Sequence, residues 1–148
     1  MRLVSSTFQN NQEIPAKYTC EGQDISPPLT VVDSPSNASS FVLTVTDPDA
    51  PNKTWIHWVV FNIDPTVTDF VEGSIPDGGI EGLNDFGTTE YGGPCPPTGT
   101  HRYFFRLYAL DSMLDFDEGE DYETIMDFVQ KHKIAEAEII GLFNKSSR

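Results

Sequence analysis

Basic side chains are scarce in this chain: 9 Lys and Arg stand against 23 Asp and Glu, a formal net charge of −14 over 148 residues. That imbalance argues against nucleic acid and against anionic membrane surfaces as partners, because both would be repelled at long range. Cysteine is scarce too. Cys20 and Cys95 are too few for a secreted disulfide framework, and their spacing matches no metal motif. The default reading is a pair of free, buried or half-buried thiols. A disulfide joining two loops and a reactive Cys95 thiolate are the alternatives. No apolar run approaches the length of a membrane span, and the start, Met1 to Ser6, lacks the apolar region of a signal peptide. The expectation is a cytoplasmic protein without stable membrane insertion. With no internal repeat, low-complexity tract or linker, residues 1–148 are expected to form a single domain, long enough to bury a real core.

What is present is strand pattern punctuated by proline. Pro48 pushes Asp47 toward extended backbone, so Asp47 is expected to close a strand running from Phe41 to Thr46 and to hold its carboxylate at the sheet's edge. The run Trp55 to Asn62 reads as a strand whose period of two places Trp55, His57, Val59 and Phe61 on one face. In the run His101 to Leu110 the same alternation groups His101 with Tyr103 and turns Arg102 and Arg106 away. Ser34 to Ser40 reads as a surface hairpin loop, and Val71 to Tyr91 as a long irregular excursion of the kind that borders sites. One helix is expected: Tyr122, Ile125, Met126 and Val129 recur at helical spacing, with acids at its start and lysines at its end. A last strand follows over residues 134–143. Many strands and little helix indicate an all-β sandwich.

Two imidazoles, a carboxylate and a glycine-proline turn are the parts an oxyanion pocket needs. For His57, and likewise for His101, the default reading is a neutral core histidine with one satisfied nitrogen. In the pocket reading both would be protonated and donate from two strands, with Tyr103 adding a hydroxyl. Gly93 would let main chain approach closely, and Asp47 would hold an imidazole in its tautomer. Asp49 has two readings, a partner for a ligand ammonium group or a turn-forming side chain bonded to its own backbone. Arg102 and Arg106 are expected to pair with surface carboxylates, and His132 to meet the carbonyls that end the helix. The six acids between Asp111 and Asp121 lack calcium-loop spacing and read as a solvated loop.

These residues sit within a longer pattern. Tyr18-Thr19-Cys20-Glu21-Gly22, Asp24-Ile25-Ser26-Pro27-Pro28-Leu29, the Asp47-Pro48-Asp49-Ala50-Pro51 loop, Trp55 to Asn62, Gly92-Gly93-Pro94-Cys95-Pro96-Pro97-Thr98-Gly99 with His101-Arg102-Tyr103, and His132 to Ala137 occur in order over nearly the whole chain. The pattern resembles the phosphatidylethanolamine-binding protein family, which includes the Raf kinase inhibitor protein, and within it the short bacterial and archaeal members. The resemblance implies a mainly β Greek-key sandwich with a small pocket for phosphate-like anions. Carried over by position, that pocket would use Asp47, Asp49, Trp55, His57, Gly93, Pro94, His101 and Tyr103. The chain departs from the animal pattern at Cys95-Pro96-Pro97 and by ending soon after Phe143, without the longer carboxy-terminal helix that borders the animal pocket.

The expected function is a non-enzymatic binding module for a phospholipid head group or a phosphorylated protein side chain, with no cofactor and with a protein kinase conceivable as a partner. A homodimer is left open. Two other classes stand beside it: a protease inhibitor presenting its rigid proline-rich loop to a protease, and a hydrolase built either on Cys95 with His101 or on a metal held by His57, His101 and Asp47.

Overall fold

The computed structural model describes residues 1–145, and its architecture is mainly β. Strands β1 (Arg2–Val4), β2 (Gln12–Glu13), β3 (Leu29–Val32), β4 (Ser40–Asp47), β5 (Trp55–Ile63), β6 (Asp69–Phe70), β7 (Ile80–Glu81), β8 (Thr100–Leu110) and β9 (Lys133–Asn144) are joined by one helix, α1 (Tyr122–His132). They form a three-stranded sheet, β1-β3-β6, and a six-stranded sheet, β2-β9-β8-β4-β5-β7. Among the described residues no helix is long and apolar enough to cross a membrane.

The two faces of the large sheet bury different clusters. Phe41, Leu43, Val45, Trp58, Val60, Tyr103, Phe105 and Leu107 pack with Leu3, Leu29, Val31 and Phe70 of the small sheet, forming the sandwich core. Val42, Val59, Phe61, Tyr108 and Leu110 face the other way, against Ile125 and Val129 of α1. Both faces are therefore covered, and β4 is buried along its whole length. Helix α1 starts where Asp121 accepts a hydrogen bond from the Thr124 amide (2.8 Å), and Lys131 and His132 complement its last turn. His132 bonds Asp111 and stacks on Phe128 through its ring.

Two connections differ from their sequence reading. The Ser34–Ser39 stretch links β3 of the small sheet to β4 of the large one, so it crosses between layers and does not close a hairpin. The excursion after β6 carries the short strand β7, which pairs with β5. A long connection from β5 then brings β8 to the far side of β4, which places the beginnings of β5 and β8 beside the end of β4.

Strand β5 departs from regular alternation twice. Between the pairs Phe41–Ile63 and Leu43–Val60, two residues, Phe61 and Asn62, oppose the single Val42, and Asn62 takes φ 58°. Between Val45–Trp58 and Thr46–Ile56, His57 is an extra residue with no opposite number. Such a bulge re-aims side chains. It reverses the expected grouping: Val59 and Phe61 face the helix, while His57 packs edge-on against Tyr103 of the sandwich core.

Candidate functional site

A cavity of about 300 Å³ opens where the ends of β4, β5 and β8 meet, lined by Asp47, Ala50, Pro51, Trp55, His57, Phe86, Cys95, Pro96, Pro97, His101 and Tyr103. Five of the eight expected pocket residues are in that wall. Asp47 reaches it because Pro48 ends β4 there, and its carboxylate is only 3% exposed. One oxygen accepts from the Asp49 amide (2.8 Å) and the other contacts His101 Nδ1 at 2.7 Å. Asp47 thus fixes the imidazole as expected, with Nδ1–H toward the carboxylate and Nε2 left for other partners.

His57 is fixed differently. Its Nδ1 donates to the Gly92 carbonyl at 2.6 Å, which leaves Nε2 without a hydrogen-bond partner among the described residues. Burial is the largest influence on its charge and lowers its pKa from the ordinary 6.5, against the Gly92 bond and the Asp47, Asp24 and Asp85 carboxylates, which raise it. The expectation of a protonated donor at His57 therefore meets a desolvation cost that sequence could not reveal.

Tyr103 is fully buried, and its hydroxyl has no hydrogen-bond partner among the described residues. The Asp47 carboxylate and the Cys95 backbone are close enough to influence it, but neither stands in hydrogen-bonding geometry. Burial foremost, and then the Asp47 and Asp49 charges, raise its pKa far above the ordinary tyrosine range, so it remains a donor. A buried hydroxyl left unsatisfied costs free energy on the order of 1–3 kcal/mol, which a ligand atom would recover.

The remaining three expected residues lie elsewhere. Asp49 grips Arg102 through two side-chain bonds of 2.9 and 2.8 Å and also accepts from the Arg102 amide at 2.9 Å. These bonds hold its carboxyl down to about 2, and they occupy the oxygens that a ligand ammonium group would need. The Gly93 amide donates to Asp24 Oδ1 at 2.7 Å and so is not offered to the cavity. A Cβ at Gly93 would lie 2.3 Å from that oxygen and 2.5 Å from the Tyr18 carbonyl, so glycine serves chain packing here. The Pro94 carbonyl accepts from the Cys20 amide.

One feature of the wall was not read from sequence, and another was read only as an alternative. Phe86, from the long excursion, stacks edge-on against both Trp55 and His57. Its only signal was a lone aromatic residue in an acidic, glycine-rich loop. The cysteines, expected as free thiols, form a Cys20–Cys95 disulfide, and among the described residues no free cysteine remains. Both half-cystines are solvent-exposed. While intact, the bond removes the thiolate that the Cys95–His101 hydrolase requires. No group of three or more His, Cys, Asp or Glu side chains among the described residues is arranged to hold a metal ion, so the metal hydrolase has no support in the geometry.

With the fold and the cavity defined, the chain can be placed among known proteins. The profile of the Phosphatidylethanolamine-binding protein family matches residues 4–144, and the chain belongs to that family. It is 47% identical over 150 residues to a UPF0098 protein of Methanothermobacter thermautotrophicus, covering 98% of this chain and 99% of the relative. A Chlamydia trachomatis structure, described as a phosphatidylethanolamine-binding protein homolog, superposes with a TM-score of 0.93 at 42% identity, covering 98% and 97% of the two chains. Escherichia coli YbcL, described as a new member of the mammalian family, superposes with a TM-score of 0.91 at 32% identity, covering 98% of each.

Proposed function

We propose that this protein is a non-catalytic binding module whose cavity between Asp47, His57, His101 and Tyr103 holds a small phosphate-like anion, borne by a phospholipid head group or by a phosphorylated protein side chain. The observation that carries the reading is the buried Tyr103 hydroxyl, which has no partner and sits in a cavity wall with two histidines whose Nδ1 atoms are already engaged. These three side chains, from two strands, line one cavity with hydrogen-bonding capacity unspent, which supports a compact anion as its occupant. Family membership supports a binding role, and a regulatory, kinase-inhibitor-like action would follow if the bound phosphate belonged to a partner protein.

The test is a histidine-resolved NMR titration with phosphate and with phosphoethanolamine. Saturable shifts of both His57 and His101, absent from His57→Ala and His101→Ala variants, are expected. Unmoved imidazoles would discard the anion pocket. Because Asp49 is held by Arg102, phosphoethanolamine is expected to bind no more tightly than phosphate. A cytoplasmic location belongs to the same proposal and is tested by thiol labelling in cells. A reducing compartment would open the exposed Cys20–Cys95 bond, and a fully protected pair would argue for an oxidising one.

A further inference from the structure

In the anion cavity His57 has a polarity opposite to what a bare anion wants. The His57 ring is 4% exposed, and its Nδ1–H is spent on the Gly92 carbonyl, so the neutral ring presents Nε2 as an acceptor. Among the described residues no facing group donates to that nitrogen. Phe86 and Tyr103 meet the ring edge-on at centroid distances of 5.3 Å. The charged groups nearby do not supply a free cation either. Asp47 and His101 are bound to one another at 2.7 Å. Arg102 is bound to Asp49, and Lys53, which approaches Trp55, is bound to Asp85 at 2.9 Å. A proton-free oxyanion pressed against Nε2 would bring two lone pairs together at a nearly buried ring.

Resting on the anion-pocket reading, we propose that the occupant is an oxyanion that still carries an acidic hydroxyl, a phosphate or phosphomonoester monoanion. His57 Nε2 accepts a hydrogen bond from that hydroxyl, and Tyr103 donates to another of its oxygens. His57 is then a specificity-determining residue that reads the ligand's proton. No bond is made or broken. Burial of His57, which disfavours its charged form, agrees with this polarity. A phosphomonoester loses its second proton with a pKa of about 6, so near neutral pH the protein would draw on the monoanionic fraction.

Sulfate is the discriminating probe, because it matches phosphate in shape but has no proton to give in this pH range. Calorimetric titrations with inorganic phosphate and with sulfate, at pH 6 and pH 8, would be run on the wild type and on His57→Gln, whose amide can donate as well as accept. At pH 6 the wild type is expected to prefer phosphate by roughly tenfold to a hundredfold, the effect of one buried mismatched pair. The preference should collapse in His57→Gln, and in a parallel titration the affinity for phosphoethanolamine, whose dianion unlike that of inorganic phosphate keeps no hydroxyl, should weaken from pH 6 to pH 8. Sulfate binding within about twofold of phosphate, or tightening steeply as His57 gains a proton, would overturn the inference while leaving the anion pocket standing. If neither anion binds wild-type protein that is folded by its amide NMR spectrum, the pocket reading itself fails.

Discussion

Adjacent residues of β5 enter two different cavities, His57 the one just described and Trp58 another of about 290 Å³ lined by Asp24, Ile25, Ser26, Gly73, Ser74, Ile75, Glu81, Glu90 and Tyr91. The second is the more highly charged, yet its polar groups are largely occupied. Trp58 Nε1 donates to Glu81 at 2.6 Å, Asp24 accepts from Gly93, and the Tyr91 hydroxyl donates to the Tyr18 carbonyl at 2.7 Å. The His57 cavity is mostly aromatic and proline-walled but holds a donor with nothing to donate to. Volume and charge do not separate the two. Unspent hydrogen-bonding capacity does, because the Asp24 and Glu81 carboxylates of the second cavity are tied to protein donors whereas the Tyr103 hydroxyl has no hydrogen-bond partner among the described residues.

The sharpest way to break this comparison is to disarm each cavity in turn. His57→Ala combined with His101→Ala should abolish phosphate binding at millimolar ligand, while Glu81→Gln combined with Glu90→Gln should leave the affinity within about twofold. Calorimetry on the two double variants decides it, and comparable losses would mean that the acidic cavity shares the ligand. Next in size is the covalent tie. Cys20 and Cys95 are 75 residues apart, so Cys20→Ser with Cys95→Ser should lower unfolding free energy by roughly 4 kcal/mol on the loop-closure account. Denaturant midpoints measure that loss. The same variant should bind phosphate several-fold more weakly, since Cys95, Pro96 and Pro97 form one wall of the His57 cavity. Unchanged affinity would show that the Gly93–Asp24 and Cys20–Pro94 bonds hold that wall alone.

A smaller effect separates the cavities by pH. Burial lowers the pKa of His57, so the unfolded chain takes up a proton that the folded chain resists. Stability is therefore lost as pH falls through and below the ordinary histidine value of 6.5. His57→Gln removes that proton and should flatten this limb in melting curves taken between pH 7.5 and pH 5.5. A parallel decline in both proteins would mean that other groups set it.

Local signals carried much of this picture. Proline after Asp47 located the buried carboxylate, and alternation in β8 placed His101 with Tyr103 and sent Arg102 and Arg106 outward to Asp49 and Glu138. The helix read from the spacing of Tyr122, Ile125, Met126 and Val129 spans Tyr122–His132, and the last strand, read over residues 134–143, spans Lys133–Asn144. What stayed hidden depends on non-local pairing. The extra residue at His57 exists only in register with β4, so period-two reading placed it with Val59 and Phe61. Gly93 looked like an anion-binding turn because Asp24, which takes its amide, lies 69 residues away. The disulfide and the Phe86 contacts likewise join segments that no sequence window contains.

The last and smallest expected effect belongs to the acidic cavity. Burial raises the pKa of Glu81 above 4.5, and repulsion from Glu118 and Glu90 adds to this, while the Trp58 bond opposes it. The folded state therefore holds a Glu81 proton more tightly than the unfolded chain, and ionising Glu81 lowers stability as pH rises through its folded pKa. Glu81→Gln keeps an oxygen acceptor for Trp58 Nε1 and removes the charge. Its melting temperature at pH 7 should exceed that of the wild type by roughly one or two degrees, and the gain should vanish near pH 4, where Glu81 is protonated. A lower melting temperature at pH 7 would mean that the charged form of the Trp58–Glu81 bond outweighs the cost of burying it. The acidic cavity would then be held together by its charge, and the contrast with the His57 cavity would rest on the Tyr103 hydroxyl alone.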